Sequence, residues 1–516
     1  MRNWHSLYEI LKFPIGVLLF ATFLTGIGNL LTNTAFDSLF VIENTYVLRT
    51  AEALQRTGAF LIVNFPVLFL LSMVARRNNS STTVLSAMAG YVSFALFTMY
   101  FSRSDLPSWA YSSLLGISAT STKIREMMNG VYYPLQTGLI GAMGIMPITQ
   151  WCWHRSRVRN DYGMFSYISK EVSAVISTVF FSALYGALLA SVWTFLVLGV
   201  QYMIRFIAQD TTNPVKLAAY GILDRGLSVL NLGTYIRAPF WYSASGGTWV
   251  TMAGASVAGD VNIWRTQAAA SSLGGATGRF ITPYYILNIF AIPGMMWANY
   301  TLQTDPVEKR RYRLYYILMI LMSVLLGTLL PVELILLFLS PLLFGMHLAY
   351  TGLLFGALQA MHTYLGFNYG LSGTMAVNPG TLVELLTYLH YPSLTPTIIR
   401  MAVVGLVTFA AYFFMTRLYY KRLAIDIFRT DALERIVNNV IDAVGGIDNI
   451  KMTNSSPFRL ALTLFDPGKM SASKIRKIAA VRIYETKAGY EITFGSASTM
   501  IRQGIDAKMR SYVREI

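Results

Sequence analysis

The sequence predicts a polytopic α-helical membrane domain, about ten spans with re-entrant hairpins, followed by a small α+β sandwich domain. Three observations predict it. Of 516 residues, 54% are hydrophobic and only 13% charged, about half the charge density of an average soluble domain. The apolar residues gather into runs long enough to cross a bilayer. At Lys421 the composition changes: from there to Ile516 stand 16 Lys plus Arg and 10 Asp plus Glu, an ordinary soluble density. A soluble enzyme is excluded for the chain as a whole, and so is disorder, which requires low hydrophobicity.

The candidate spans are about 13–32, 57–75, 82–101, 130–152, 168–206, 313–332, 334–364 and 396–418. The first reads as a retained helix, because no small-residue cleavage site in a polar stretch follows it. The fifth and seventh are long enough to be tilted, bent or split. Residues 210–300 are only half apolar, rich in Gly, Ser and Pro, and carry Asp224, Arg225, Arg237, Asp260, Arg265 and Arg279. A central Arg or Asp in a lipid-facing helix costs roughly 2.5–3.5 kcal/mol. Irregular backbone at membrane depth survives only inside protein or along a watery cavity. This stretch is therefore expected to form re-entrant hairpins and interfacial helices.

The net charge of +16 suggests nucleic acid, but the basic residues sit at the ends of apolar runs and in the tail. That is membrane anchoring, so contact with lipid is expected and a nucleic-acid partner is not. The clusters are Arg76-Arg77, His154 to Arg159, Lys309 to Arg313 and Tyr419 to Arg422. All fall on one side if both termini are cytoplasmic and the number of spans is even. The loop near 102–112 is poor in Lys and Arg, as an outside loop should be. The single cysteine, Cys152, excludes an intrachain disulfide framework and a multi-Cys zinc site. Five scattered histidines offer no metal-ligand pair, so no cofactor and no metal are expected.

In the tail, residues 431–444 are apolar at helical spacing and end at Gly445-Gly446, a C-cap. Residues 458–465 alternate as a strand and stop at the turn Asp466-Pro467-Gly468-Lys469. A short helix at 470–479, a hairpin of 481–484 and 490–494, and a closing helix at 496–513 complete the order α-β-β-α-β-β-α. The boundaries expected are a membrane domain at 1–420, a linker at 421–430 and a sandwich at 431–516.

Gly445-Gly446-Ile447-Asp448-Asn449-Ile450 is similar to a G-G-x-x-N-I motif. Arg459-Leu460, Asp466-Pro467 with Lys469, and Phe494-Gly495 follow in order. Together they resemble the IIB domain of phosphotransferase-system sugar permeases of the glucose/N-acetylglucosamine/maltose class. The membrane part resembles their IIC domain. The matching residues are Phe13-Pro14-Ile15, Pro239-Phe240-Trp241, Ile292-Pro293 with Ala298 and Tyr300, Pro331-Val332-Glu333, and Ser340-Pro341-Leu342-Leu343 with His347. The resemblance implies a homodimer in the bacterial cytoplasmic (inner) membrane. It implies phosphocarrier proteins that phosphorylate a IIB cysteine, which then passes the phosphoryl group to a hexose or glycoside held by IIC. A thiolate is both a good nucleophile and a good leaving group.

The chain departs from that pattern at three cooperating places. Ser456 stands where the family has its phosphorylated Cys, with Phe458 and Ala461 replacing a Thr and an Arg beside it. Gly233 and Thr234 stand at the two family histidines. Leu330 stands at the first family Glu. No catalytic residue is therefore assigned, and the expected function is sugar transport or binding without phosphotransfer by the chain itself. Two alternatives stand: an active sugar phosphotransferase helped by a separate IIB protein, and a membrane sugar sensor.

The expected substrate-binding residues are Glu333, Arg237, Asn231 and Thr234. Glu333, in an apolar run, is a sugar-hydroxyl acceptor or a buried carboxylate paired with an Arg. Arg237 binds sugar or phosphate, or snorkels to the interface. Asn231 and Thr234 contact sugar or pack helices. Trp241 and Tyr242 stack on a sugar ring or belong to an interfacial belt. Asp224-Arg225 reads as a structural ion pair, and His347 and His362 as packing histidines. Gly274-Gly275 with Gly278 reads as a hairpin turn.

Overall fold

The computed structural model describes residues 2–33, 41–78, 80–103, 105–120, 131–156, 169–270, 272–273, 277–303, 306–368, 379–423, 431–456, 459–478, 481–486, 489–494 and 498–515. Gly274-Gly275, Pro457, Phe458, Gly495 and most of the expected linker lie outside them. The chain divides into two compact units. One holds residues 3–298 with 315–416, the other residues 417–516 with 1–2 and 299–314.

Most of the chain is helical. Among the described residues, five helices are long and apolar enough to cross a membrane: Leu11–Thr32, Ser81–Phe101, Lys170–Ala208, Pro341–Ala360 and Pro392–Lys421. A sixth span is formed if Thr45–Val63 and Phe65–Arg77, bent by 59° at Asn64, count as one. Five or six is fewer than the number expected from the sequence, because several apolar runs are cut into shorter pieces. The run at 334–364 divides into Leu330–Leu339 and Pro341–Ala360. Ser340 leaves helical geometry there (φ −144°, ψ 63°), as the residue before a proline tends to. The run at 168–206 stays whole as the 39-residue helix Lys170–Ala208.

Residues 210–300 form a chain of short pieces: Pro214–Val229, Thr234–Tyr242, Asp260–Ala269 and Thr282–Ile286, with the hairpin Thr248–Val250/Ser256–Ala258. Pro214–Val229 begins with Asn213 as N-cap, its side chain accepting from the Val215 N–H, and with Pro214 in the first turn. Just before it, Asp210 accepts from the Thr212 hydroxyl (2.5 Å) and N–H (2.9 Å). These bonds hold the Asp210 carboxyl below its usual range.

The large unit is packed through small residues, as helices in lipid must be when lipid is as apolar as they are. The helix Lys170–Ala208 buries Ala174, Thr178, Ser182, Gly186 and Ala190 at four-residue intervals. This stripe faces Ser81–Phe101, which buries Ser86 and Gly90. A Cβ at Gly186 would stand 2.7 Å from the Phe94 carbonyl oxygen, and one at Gly90 would stand 2.8 Å from Ser182 Oγ. Pro341–Ala360 meets Pro214–Val229 in the same manner, where a Cβ at Gly356 would stand 2.9 Å from the Pro214 carbonyl oxygen.

The smaller unit contains a four-stranded antiparallel sheet in the spatial order Ile450–Ser455, Leu460–Leu464, Gly489–Ile492, Ile483–Thr486. Asp431–Ala443, Ala472–Ile478 and Ser498–Glu515 pack on it. Val437, Val440, Leu460, Leu462, Leu464, Ile475, Ile492, Ile501 and Ile505 share one buried core. Alternate residues of Leu460–Leu464 are buried, the pattern of a sheet covered on one face. Gly445 (φ +92°) and Gly446 (φ +101°) end the first helix in the left-handed region. Asn449 then ties the turn together. Its Nδ2 donates to the Val444 and Asp466 carbonyls (2.6 and 2.9 Å), and its Oδ1 accepts from the Asp466 N–H (2.8 Å). The Gly-Gly-x-x-Asn pattern is thus a structural clamp.

Gly186→Leu should separate Ser81–Phe101 from Lys170–Ala208 and destabilise the large unit by about 1–3 kcal/mol, the usual cost of overpacking. Thermal unfolding of the purified protein in detergent would show a lowered midpoint, whereas Gly199→Leu, a position with open space around it, should leave the midpoint in place.

Candidate functional site

One buried and one half-buried arginine meet two buried carboxylates in the large unit. Asp224 and Arg225 project from Pro214–Val229, Arg237 from Thr234–Tyr242 and Glu333 from Leu330–Leu339. Arg225 forms a two-pronged bond with Glu333. Its Nε donates to Oε1 (2.7 Å) and its Nη2 to Oε2, while Nη1 donates to the Tyr284 hydroxyl (3.3 Å). Arg237 Nε donates to Asp224 Oδ1 (2.6 Å) and Nη2 to Ser228 Oγ (2.8 Å). The Tyr284 hydroxyl donates to the other Asp224 oxygen and so joins the two pairs. Both guanidinium groups lie over the Tyr284 ring, at 5.3 and 5.5 Å.

Glu333 has a second partner. His347 Nε2 is 3.0 Å from its Oε1, and His347 Nδ1 is 2.7 Å from the Tyr412 hydroxyl. His347 is therefore more than packing: it orients the carboxylate that Arg225 holds. A guanidinium cannot shed its proton in a protein, so each of these arginines, largely withdrawn from water, requires a carboxylate in place. With two of each, the cluster carries no excess charge when His347 is neutral.

A partly open cavity of about 90 Å³ lies against this cluster. Six of the residues singled out from the sequence line it: Arg225, Asn231, Gly233, Thr234, Arg237 and Leu330. Glu333 does not line it; it stands behind Arg225, which does. Asp260, Arg265 and Arg279 do not reach it. Asp260 accepts from the Gly278 N–H (2.8 Å) and Arg279 donates to the Thr211 carbonyl (3.0 Å). Trp241 is buried and donates to the Tyr220 hydroxyl (2.9 Å), so it neither opens onto the cavity nor belongs to an interfacial belt. His362 lies beyond the end of Pro341–Ala360, exposed, with φ +48°.

A break between two helices presents the cavity wall. Pro214–Val229 ends, Asn231 takes a left-handed conformation (φ +62°) that Asn tolerates better than most residues, and the next helix starts at Thr234. The freed backbone groups are taken up by neighbours, as irregular backbone at depth requires. Leu139 N–H donates to the Leu230 carbonyl (2.9 Å) and Gln136 Nε2 to the Asn231 carbonyl (2.9 Å). Asn231 Nδ2 donates to the Val63 carbonyl (3.0 Å), and the Thr234 hydroxyl donates to Gln136 Oε1 (2.7 Å). What remains for a ligand is the Arg237 Nη1 donor and the Asn231 Oδ1 acceptor, beside the Thr234 hydroxyl.

Gly233 leaves no room for a side chain, since a Cβ there would stand 2.6 Å from Ser228 Oγ. The sequence reading missed Thr22, Gln136, Ser228, Tyr284 and Pro379, all of which line the cavity. Only Tyr284, beside Pro283 in the charged middle stretch, carried any signal. Ser456, in the smaller unit, is exposed just after the strand Ile450–Ser455; its N–H donates to the Arg459 carbonyl (2.9 Å) and its Oγ accepts from the Arg459 N–H (3.1 Å). The Arg459 guanidinium is engaged elsewhere, with Glu491 (3.0 Å) and over the Tyr484 ring (5.0 Å). Among the described residues no group of three His, Cys, Asp or Glu could hold a metal ion. No model of a known protein family matches the chain.

Glu333→Leu, which leaves the Arg225 charge buried and unpaired, should destabilise the large unit by about 3–5 kcal/mol. Adding Arg225→Met to it should recover most of that loss, read as the unfolding midpoints of the two variants. Failure of the second change to rescue the first would mean that the pair is not the unit of stability.

Proposed function

We propose that this chain is a membrane protein for sugar transport or binding, of phosphotransferase-permease type, that does not phosphorylate its substrate with its own C-terminal domain. On this reading it is a homodimer in a bacterial cytoplasmic membrane with both termini cytoplasmic. Its broken apolar helices, added to the five or six long ones, bring the span count to about ten. The motifs of the sequence support the reading, and so does the one-sided distribution of basic clusters.

The observation that carries the proposal is the cavity at the helix break. Residues chosen from the sequence for their sugar-binding chemistry share one wall there, and their polar atoms are suited to hydroxyl groups. A charge-compensated arginine offers a polarised donor without net charge, which suits a neutral polyol. The apolar part of the wall, Ile62, Val63, Leu329 and Leu330, suits the C–H face of a sugar ring.

The test is binding of a panel of radiolabelled hexoses and glycosides to the purified full-length protein. At least one should bind. Thr234→Val and Arg237→Lys should each weaken that binding about tenfold, the equivalent of one good hydrogen bond at about 1.4 kcal/mol. Absence of binding across the panel would sink the proposal.

A serine hydroxyl is essentially un-ionised at neutral pH and needs an adjacent base. None of the five histidines lies in the tail, the last being His390. With phosphocarrier proteins and labelled phosphoenolpyruvate supplied, neither Ser456 nor any sugar should become labelled. Sugar phosphate formed at a rate that vanishes in Ser456→Ala would refute this.

A further inference from the structure

Another carboxylate in the large unit has no cation to match it among the described residues. Glu384 projects from the short helix Leu382–Thr387 and is buried. Its Oε1 accepts from the Asn368 N–H (2.6 Å) and the Tyr388 hydroxyl (3.0 Å). Tyr388 in turn accepts from Trp264 Nε1 (3.2 Å), which fixes the direction of the chain. The other carboxylate oxygen, Oε2, makes no hydrogen bond among the described residues.

Among the described residues Glu384 forms no ion pair. The titratable groups facing it are the hydroxyls of Tyr388 and Tyr285, and Tyr285 donates to the Gly366 carbonyl (2.8 Å). No Lys, Arg or His lines the cavity in front of it. An ionised carboxylate without a cation is strongly disfavoured in such surroundings. In practice such a group takes a proton instead.

The cavity in front of Glu384 is about 10 Å³, room for roughly one water. Asn29, Asn33 and Thr381 line it with Glu384. Asn29 Nδ2 is buried there without an acceptor. One orphan donor and one orphan acceptor therefore line the same water-sized space, which is the arrangement a proton-exchanging water requires. The segment that carries Glu384 also reaches the larger cavity: Pro379 lines that one and Thr381 this one. Asn288 Nδ2 holds the carbonyls of Pro379 (2.9 Å) and Gly380 (3.2 Å) between them.

We propose that Glu384 is a proton-binding site, separate from the ligand cavity, which carries its proton on Oε2 and exchanges it through the small cavity at Asn29. The step is a simple transfer: a hydronium ion gives up a proton, the O–H bond forms on Oε2, and water is left. The site needs no sugar, so its test does not depend on the function proposed above.

The experiment is infrared difference spectroscopy of the full-length protein in lipid nanodiscs at neutral pH, in ordinary and heavy water. The wild type should show a protonated-carboxyl stretch that shifts in heavy water. Glu384→Gln should abolish it. Asp260→Asn should not, although Asp260 Oδ2 is the other buried carboxylate oxygen without a hydrogen bond among the described residues. No such band, or its loss in Asp260→Asn alone, overturns the proposal.

Two controls close the remaining routes. Glutamine mimics the protonated acid in shape and charge, so Glu384→Gln should unfold at the wild-type temperature or above; a variant that fails to fold overturns the proposal. Exchanging choline for sodium at constant ionic strength should leave the wild-type midpoint unchanged. A sodium-specific stabilisation lost in Glu384→Gln would make the site a metal-cation site and overturn the assignment to a proton.

Discussion

Charge compensation away from water is the constraint on which the large unit rests. Arg225 and Arg237 keep their charges at any accessible pH, so the fold must bring a carboxylate to each. Glu333 lies more than a hundred positions along the chain from Arg225, and Asp224 lies thirteen positions before Arg237. Pairing them fixes Pro214–Val229 against Leu330–Leu339 and against Thr234–Tyr242. Tyr284 and His347 then draw two further helices to the same point. Pairs of this kind gain little over apolar packing, but losing half of one is costly. They therefore specify the arrangement more than they add to its stability.

The helix breaks follow from the same constraint. An unbroken helix would leave its polar side chains among apolar neighbours. Breaking it at Leu230–Gly233, and again at Gly327–Leu329, opens a space where side chains and freed backbone groups satisfy one another. Gln136 shows the principle: its amide nitrogen holds one broken backbone carbonyl while its oxygen takes the Thr234 hydroxyl. The long unbroken helices do a different task, packing through Ala, Ser, Thr and Gly so that the scaffold around the break stays close.

What the sequence reveals and what it hides divide along physical lines. Arg237 and Glu333 stand out because a charge in an apolar run is expensive, and Asn231 to Thr234 because they interrupt a helical pattern. Thr22 and Ser228 do not stand out, since small polar residues are tolerated anywhere in a helix, nor does Gln136, which lies outside any helix just before Gly138–Arg155; only the fold brings them together. Glu384 escapes notice for another reason: its helix has only six residues, too few for an apolar period to frame it. The five or six long helices among the described residues are fewer than the spans expected from the sequence, because apolar length is legible, whereas the interruption at Ser340 depends on one proline. In the tail the helix at 431–443 and the strand at 460–464 are legible from their periods. The clamp made by Asn449 is not, because its partners Val444 and Asp466 become neighbours only after the turn has formed.

Gly233 limits the routes along which this site can change. A side chain at that position must first displace Ser228, whose hydroxyl is held by Arg237 and lies 3.5 Å from Asp224. Moving Ser228 disturbs the partners of the Arg237 cation, so most single replacements at 233 would be rejected before any new chemistry could be tried. A change at 228 to something smaller has to come first, and it brings no benefit on its own. The order of substitutions, and not only their identity, decides which descendants of this sequence are reachable.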